Sequence, residues 1–189
     1  MNAEELLRGY QIGERNYQKV NLAQVDLSRI NLAAINFSEA TLTEVDFTAT
    51  NLEGGVFKGA SLELCNFSQA NLTKADLTAA YLQSALFYKA SLGKSCLQKA
   101  NLRQAILQRT LLREANLRNA DLTNADLQQA NLIDADLSNA NLTNANLDNA
   151  FLLEANLFQA CLDGVDLSKT VLTGATMPDG SIYSRTKLD

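Results

Sequence analysis

Histidine and tryptophan are absent from the 189 residues, proline occurs once and cysteine three times. Without an imidazole, a histidine general base, a Ser-His or Cys-His pair and a His-ligated metal are all excluded. Cys65, Cys96 and Cys161 are odd in number and unequally spaced, which fits neither a disulfide framework nor a metal-binding pattern, so they read as small apolar fillers. No run approaches the roughly 20 apolar residues of a membrane-spanning helix. The opening Met1-Asn2-Ala3-Glu4-Glu5 is acidic where a secretory signal is basic, and no apolar signal core follows it. These absences predict a soluble, cytoplasmic, non-catalytic protein with no cofactor, no metal and no small-molecule ligand.

Hydrophobic residues make up 47% of the chain and charged residues 20%, which argues against both a disordered tail and a membrane protein. The length is that of one ordinary domain. A five-residue repeat dominates it. From Leu22 to Leu172 every fifth residue is Leu or Phe, 31 consecutive positions in one register. Two residues before each stands a small or β-branched residue, most often Ala, and one residue before stands Asn or Asp in 19 cases. Ala120-Asp121-Leu122-Thr123-Asn124 and Ala140-Asn141-Leu142-Thr143-Asn144 show the unit.

Neither regular secondary structure can use this spacing. On an α-helix a five-residue step turns about 500°, so the leucines would spiral round every side. On a flat strand an odd step sends successive leucines to opposite faces, and half would lie in water. A chain that bends once per unit, each unit forming one side of a coil, points every leucine at a common axis. Phe37 and Phe57 are 20 residues apart, as are Phe47, Phe67 and Phe87, which suits four-sided coils with two aromatic stacks on opposite sides. At strand spacing of about 4.8 Å per coil, the rod would be about 37 Å long.

The Ala-Asn/Asp-Leu-X-X unit resembles the pentapeptide repeat family, and the likeness covers most of the chain. The segments Glu5-Leu6-Leu7-Arg8-Gly9-Tyr10, Gly13-Glu14-Arg15-Asn16-Tyr17 and Ala175-Thr176-Met177-Pro178-Asp179-Gly180 resemble cyanobacterial members. The resemblance implies an all-β fold, a right-handed quadrilateral β-helix of about eight 20-residue coils. Residues 2 to 11 read as a short helix: Asn2 can cap it, Glu4 and Glu5 suit its first turn, and Leu6, Leu7 and Tyr10 make an apolar patch. The expected organisation is a capping helix in 1–16, the β-helix in 17–177 and a C-terminal cap or tail in 178–189, where Pro178-Asp179-Gly180 is a turn signal.

The Asn and Asp residues are expected to hydrogen-bond the turn backbone. Asp26 and Asp46 would stand one coil apart, and neighbouring carboxylates raise a pKa, but a ladder that recurs around the rod cannot mark one catalytic site. Function lies where the outer surface breaks its rule. Folded at 20 residues per turn, Leu86 and Ile106 stack with Tyr88 beside them. On the next side Leu111, Phe151 and Val171 share a column, with Ile133 and Leu153 close by. Such apolar clusters mark association surfaces, so these eight residues form the candidate interaction patch, for a protein partner or for self-association.

The family resemblance brings an alternative, inhibition or protection of DNA gyrase by imitation of duplex DNA. Duplex DNA over 37 Å would carry about 22 charges, against a net charge of −5. Seven basic residues (Lys89, Lys94, Lys99, Arg103, Arg109, Arg113, Arg118) form a belt around mid-rod, followed from Asn119 to Ser168 by eight acids and no base. The acidic balance disfavours direct nucleic-acid binding.

Overall fold

The structure, a computed structural model, describes residues 1–184, so the end of the expected tail in 178–189 lies outside the described residues. The backbone pairs with itself in one register. Parallel β-bridges join residues 20 apart, from Asn16 with Asn36 to Asn156 with Thr176, once every five residues. Four bridges per 20 residues make four sides, and each coil satisfies the backbone of the next. The pairing takes the form of single bridges because a turn interrupts the chain after each one.

The turn has a definite conformation. The Leu or Phe carbonyl accepts the N–H of the residue three further on, as Phe37 does from Ala40 at 3.0 Å. The residue two after the Leu or Phe has φ near +60° throughout 19–174 except at Lys169, and the residue before it never does. Positive φ at the third turn position alone defines a type II turn. The left-handed residue still bonds along the rod: Glu39 N–H donates to the Lys58 carbonyl at 2.9 Å.

Leu and Phe of every unit from Leu22 to Leu157, and Leu172, point inward and are buried, while Leu162 and Leu167 in the last coil are half-buried. Ala, Val, Thr or Cys fill most of the corners. Phe47, Phe67 and Phe87 stack nearly parallel, with ring centroids 4.9 and 5.0 Å apart. On the opposite side Tyr17, Phe37 and Phe57 stack with tilted rings at 6.1 and 5.7 Å. Buried hydroxyl and thiol groups at the corners find carbonyls: Thr50 donates to Leu27 at 2.6 Å, Thr110 to Phe87 at 2.7 Å and Cys65 to Leu42 at 2.9 Å. Burial pushes the Cys65 thiol up to about 12, which makes it inert.

At the N-terminal end one helix, α1 (Ala3–Gln11), lies against the first coil. Asn2 and Glu5 form a capping box: the Glu5 N–H donates to Asn2 Oδ1 at 2.9 Å and the Asn2 N–H to Glu5 Oε2 at 3.0 Å. Leu6 is buried in the core, and the Tyr17 hydroxyl donates to its carbonyl at 3.0 Å. Only glycine fits at position 9, because a Cβ there would collide with the Tyr17 hydroxyl. At the other end Ile182 pairs antiparallel with Thr176, and Tyr183 exchanges backbone bonds with Gly174 and Ala175. One side of the last coil stands apart: Asn146 has no bridge to Asp166, although both neighbouring sides are paired.

Candidate interaction surface

Outside the core, each side presents the residue before the Leu or Phe and the residue after it. All nineteen Asn and Asp residues at the first of these positions, from Asn21 to Asp166, accept the N–H two residues on at 2.8–3.2 Å. Each of these nineteen units is thus opened by an Asx turn. This accounts for the acidic ladder without chemistry. The Ser28 N–H and hydroxyl hold the Asp26 carboxyl below its ordinary value, so the expected raising by Asp46 is overturned by the nearer hydrogen bonds. At Asp121 burial pushes upward, and hydrogen bonds from Thr123 and Arg103 outweigh it. Among the described residues no three His, Cys, Asp or Glu side chains stand close enough to hold a metal ion. No helix among them is long and apolar enough to cross a membrane.

An apolar residue at the Asx position gives up that turn bond and shows carbon to water. Leu86 and Ile106 are bridged to each other, with Tyr88 half-buried two residues after Leu86. On the next side the bridges run Leu111 to Asn131, Asn131 to Phe151 and Phe151 to Val171. Asn131 therefore interrupts the column. The interruption is bypassed on the same side: the Asp134 N–H bonds to the Leu153 carbonyl at 3.0 Å and the Glu114 N–H to the Ile133 carbonyl at 3.0 Å, which sets Ile133 and Leu153 in adjacent coils. Leu111 is 49% exposed and Phe151 44%, while Ile133 and Leu153 are half-buried. The N-terminal half of this same side is polar, an amide ladder in which Asn51 donates to Asn31 at 2.9 Å and Asn71 to Asn51 at 3.2 Å.

Leu64 was not singled out from the sequence. It occupies the left-handed corner position, φ 59°, and is 55% exposed. Its column is otherwise polar or Gly, with Gln24, Glu44, Ser84 and Gln104, and Leu64 stands three residues after the Asx position at which the other apolar breaks fall.

Ion pairs tie the basic belt to the acids above it. Arg103 reaches Asp121 at 3.3 Å, Arg113 reaches Asp134 at 3.0 Å and Arg118 reaches Asp136 at 3.6 Å, each one coil on, while Lys169 takes Asp148 at 2.9 Å. Half of the eight acids between Asn119 and Ser168 are thereby paired.

A rod of parallel bridges in 20-residue register, with inward Leu and outward Asx at every fifth step, defines a class of repeat protein. The profile described as pentapeptide repeats matches residues 18–54, 56–88, 65–104, 95–139 and 135–174, in 8 copies, and the chain belongs to this family. Its fold is the right-handed β-helix solenoid. Among solved structures it is similar to HetL, a pentapeptide repeat protein involved in heterocyst differentiation regulation in the cyanobacterium Nostoc sp. strain PCC 7120. That likeness has 31% identity and a TM-score of 0.63, and spans 97% of this chain and 100% of HetL. It shares its fold with QnrB1, a plasmid-mediated fluoroquinolone resistance protein, at 16% identity and a TM-score of 0.60, over 87% of this chain and 94% of that one. No curated protein matches the sequence.

Proposed function

We propose that the protein is a non-catalytic interaction scaffold: a single rod of about eight coils, closed by its N-terminal helix, that holds a protein partner against the side carrying Leu111, Ile133, Phe151, Leu153 and Val171. Leu86, Tyr88 and Ile106 extend the contact surface round the corner. The observation that carries this reading is that Leu86, Ile106, Leu111, Phe151 and Val171 stand where nineteen other units place a bonded Asn or Asp, with Tyr88, Ile133 and Leu153 beside them on the far side of the buried Leu or Phe. An Asx-turn bond is worth about 1 kcal/mol, and replacing it with exposed carbon stabilises nothing in the isolated rod. Likeness to HetL, whose description is regulatory, agrees with a binding role.

Imitation of DNA on a topoisomerase is the weaker reading. It needs an unbroken column of free acids, and Asp121, Asp134, Asp136 and Asp148 are each held by a cation.

The test is affinity capture from the native cell with the wild-type chain and with Phe151→Asn, Leu153→Ser. Both substitutions keep residue types that the repeat uses at these positions, and Phe151→Asn restores an Asx-turn bond, so the urea midpoint is expected not to fall while the captured partner is lost. Equal capture by both chains would remove this surface from the reading.

A further inference from the structure

On the apolar side, two outward columns flank the buried Leu112, Leu132, Leu152 and Leu172. One column reads Leu111, Asn131, Phe151, Val171 and the other Arg113, Ile133, Leu153, Thr173. The corners bounding the side carry opposite charge. The corner before it holds the exposed Arg109 and Lys169, the latter paired with Asp148. The corner after it holds the exposed Glu114, Asp134 and Glu154, of which Glu114 pairs with Lys94 and Arg113 and Asp134 with Arg113, so that the two borders keep small net charges of opposite sign. A surface that is apolar in the middle, positive along one border and negative along the other is complementary to itself under one symmetry operation only.

We infer that this side binds a second copy of the chain, the two rods lying parallel about a two-fold axis that runs in the contact plane, outside and parallel to the column of buried leucines from Leu112 to Leu172. The inference rests on the contact-surface reading above and names its occupant. A two-fold axis along the rod exchanges the two columns and the two borders while keeping height. Phe151 then packs on the partner's Leu153, Ile133 meets the partner's Asn131, and Arg109 faces the partner's Glu114 in the same coil. Lys169 reaches the partner's Glu154 within one coil step, about 4.8 Å. Every contact occurs twice.

The antiparallel arrangement fails on charge. A two-fold axis across the rod sets each column and each border against itself with height reversed. Centred on the apolar strip, it brings Asp134 against Glu154 and Arg109 against Lys169. Like-charge juxtaposition of this kind rejects the wrong register. Size fixes the strength. The strip from Leu111 to Val171 is about 14 Å tall, so the contact covers a few hundred Å² per partner, short of the roughly 800 Å² of a stable interface. The dimer is a weak one that forms across micromolar concentrations.

Sedimentation equilibrium on the full chain tests it. The wild type is expected to shift from monomer to dimer with concentration, and Phe151→Asn, Leu153→Ser to stay monomeric. Arg109→Glu alone places like charges against the partner's Glu114 and is expected to weaken association about tenfold, as is Glu114→Arg alone. An equimolar mixture of the two single variants is expected to recover wild-type association, because the heterodimer has an opposite-charge contact at both borders. Glu154→Lys alone, which sets a cation against the partner's Lys169, is the second border variant, should Glu114→Arg disturb the neighbouring Lys94 and Arg113, and it too is expected to weaken association. Circular dichroism of each variant, expected to overlay, separates folding from association. A wild type monomeric throughout, a dimer indifferent to the double variant, or a mixture no better than its components would overturn the dimer. A monomeric wild type whose capture of another protein is lost in the double variant would do so while leaving the contact-surface reading in place.

Discussion

At the scale of single residues, the fold is a repeated trade between a strained backbone and a bond along the rod. A left-handed conformation costs a residue with a Cβ about 1–2 kcal/mol, and this chain adopts it at every corner from Lys19 to Gln159 that lacks Gly. The return is the axial N–H bond, which a right-handed corner would aim elsewhere. Asn tolerates the conformation best, and Asn119, Asn124, Asn139, Asn144 and Asn149 use it. Leu64 is the poorest choice: its side chain is exposed, and with Glu63, Gln83 and Ser84 it lines an open hollow of about 290 Å³. Leu64→Asn is therefore expected to stabilise the protein by about 1 kcal/mol, read as a higher urea midpoint at unchanged slope. A lower midpoint would mean that Leu64 packs on its neighbours more than its exposure indicates.

At the scale of the coil, cooperativity depends on the ladder, and the ladder has one gap. Leu127 and Gln129 donate to Asn146 and Asp148 of the next coil at 2.8 and 3.0 Å. Their counterparts Leu147 and Asn149 have no such partner in Asp166 and Ser168, and the gap coincides with Lys169, the one corner that is not left-handed. What holds the last coil there is a Thr170 hydroxyl bond to the Leu147 carbonyl at 3.1 Å and the Lys169 to Asp148 pair at 2.9 Å. Amide hydrogen exchange at Leu147 and Asn149 is expected to be faster by orders of magnitude than at Leu127 and Gln129; equal protection would mean that the ladder closes. The gap was not legible in the sequence, because Asp166-Leu167 keeps the repeat intact. Nor was the left-handed corner, since that position holds Lys, Gln, Glu, Ala and Leu with no glycine rule to betray it. The winding itself was legible, because a five-residue step is incompatible with helix and flat strand alike, and Phe47, Phe67 and Phe87 gave the coil length through their spacing. The apolar columns could be listed from a 20-residue fold, but not the amide ladder that makes the other half of that side polar.

At the scale of the whole molecule, one kind of bond recurs often enough to set the response to acid. The carboxyls of Asp26 and Asp166 are held below their ordinary value by the N–H and hydroxyl of Ser28 and Ser168, and that of Asp179 by the hydroxyl and N–H of Ser181. Asp121 is lowered too, its burial outweighed by Thr123 and Arg103. A carboxyl whose folded pKa lies below the unfolded value of about 3.9 binds its proton more readily in the unfolded chain. Its contribution is fully present above that value and is lost as pH falls toward the depressed one. Because each coil rests on the next, small losses spread over the rod add to one transition. The urea midpoint is therefore expected to hold from pH 7 to about pH 5 and to fall steeply below pH 4. Asn serves the same Asx turn in this chain, so Asp26→Asn with Asp166→Asn keeps both turn bonds while removing two titrating groups. The double variant is expected to match the wild type near neutrality and to lose less stability at pH 3; an identical acid loss in both proteins would place the sensitivity outside these two turns.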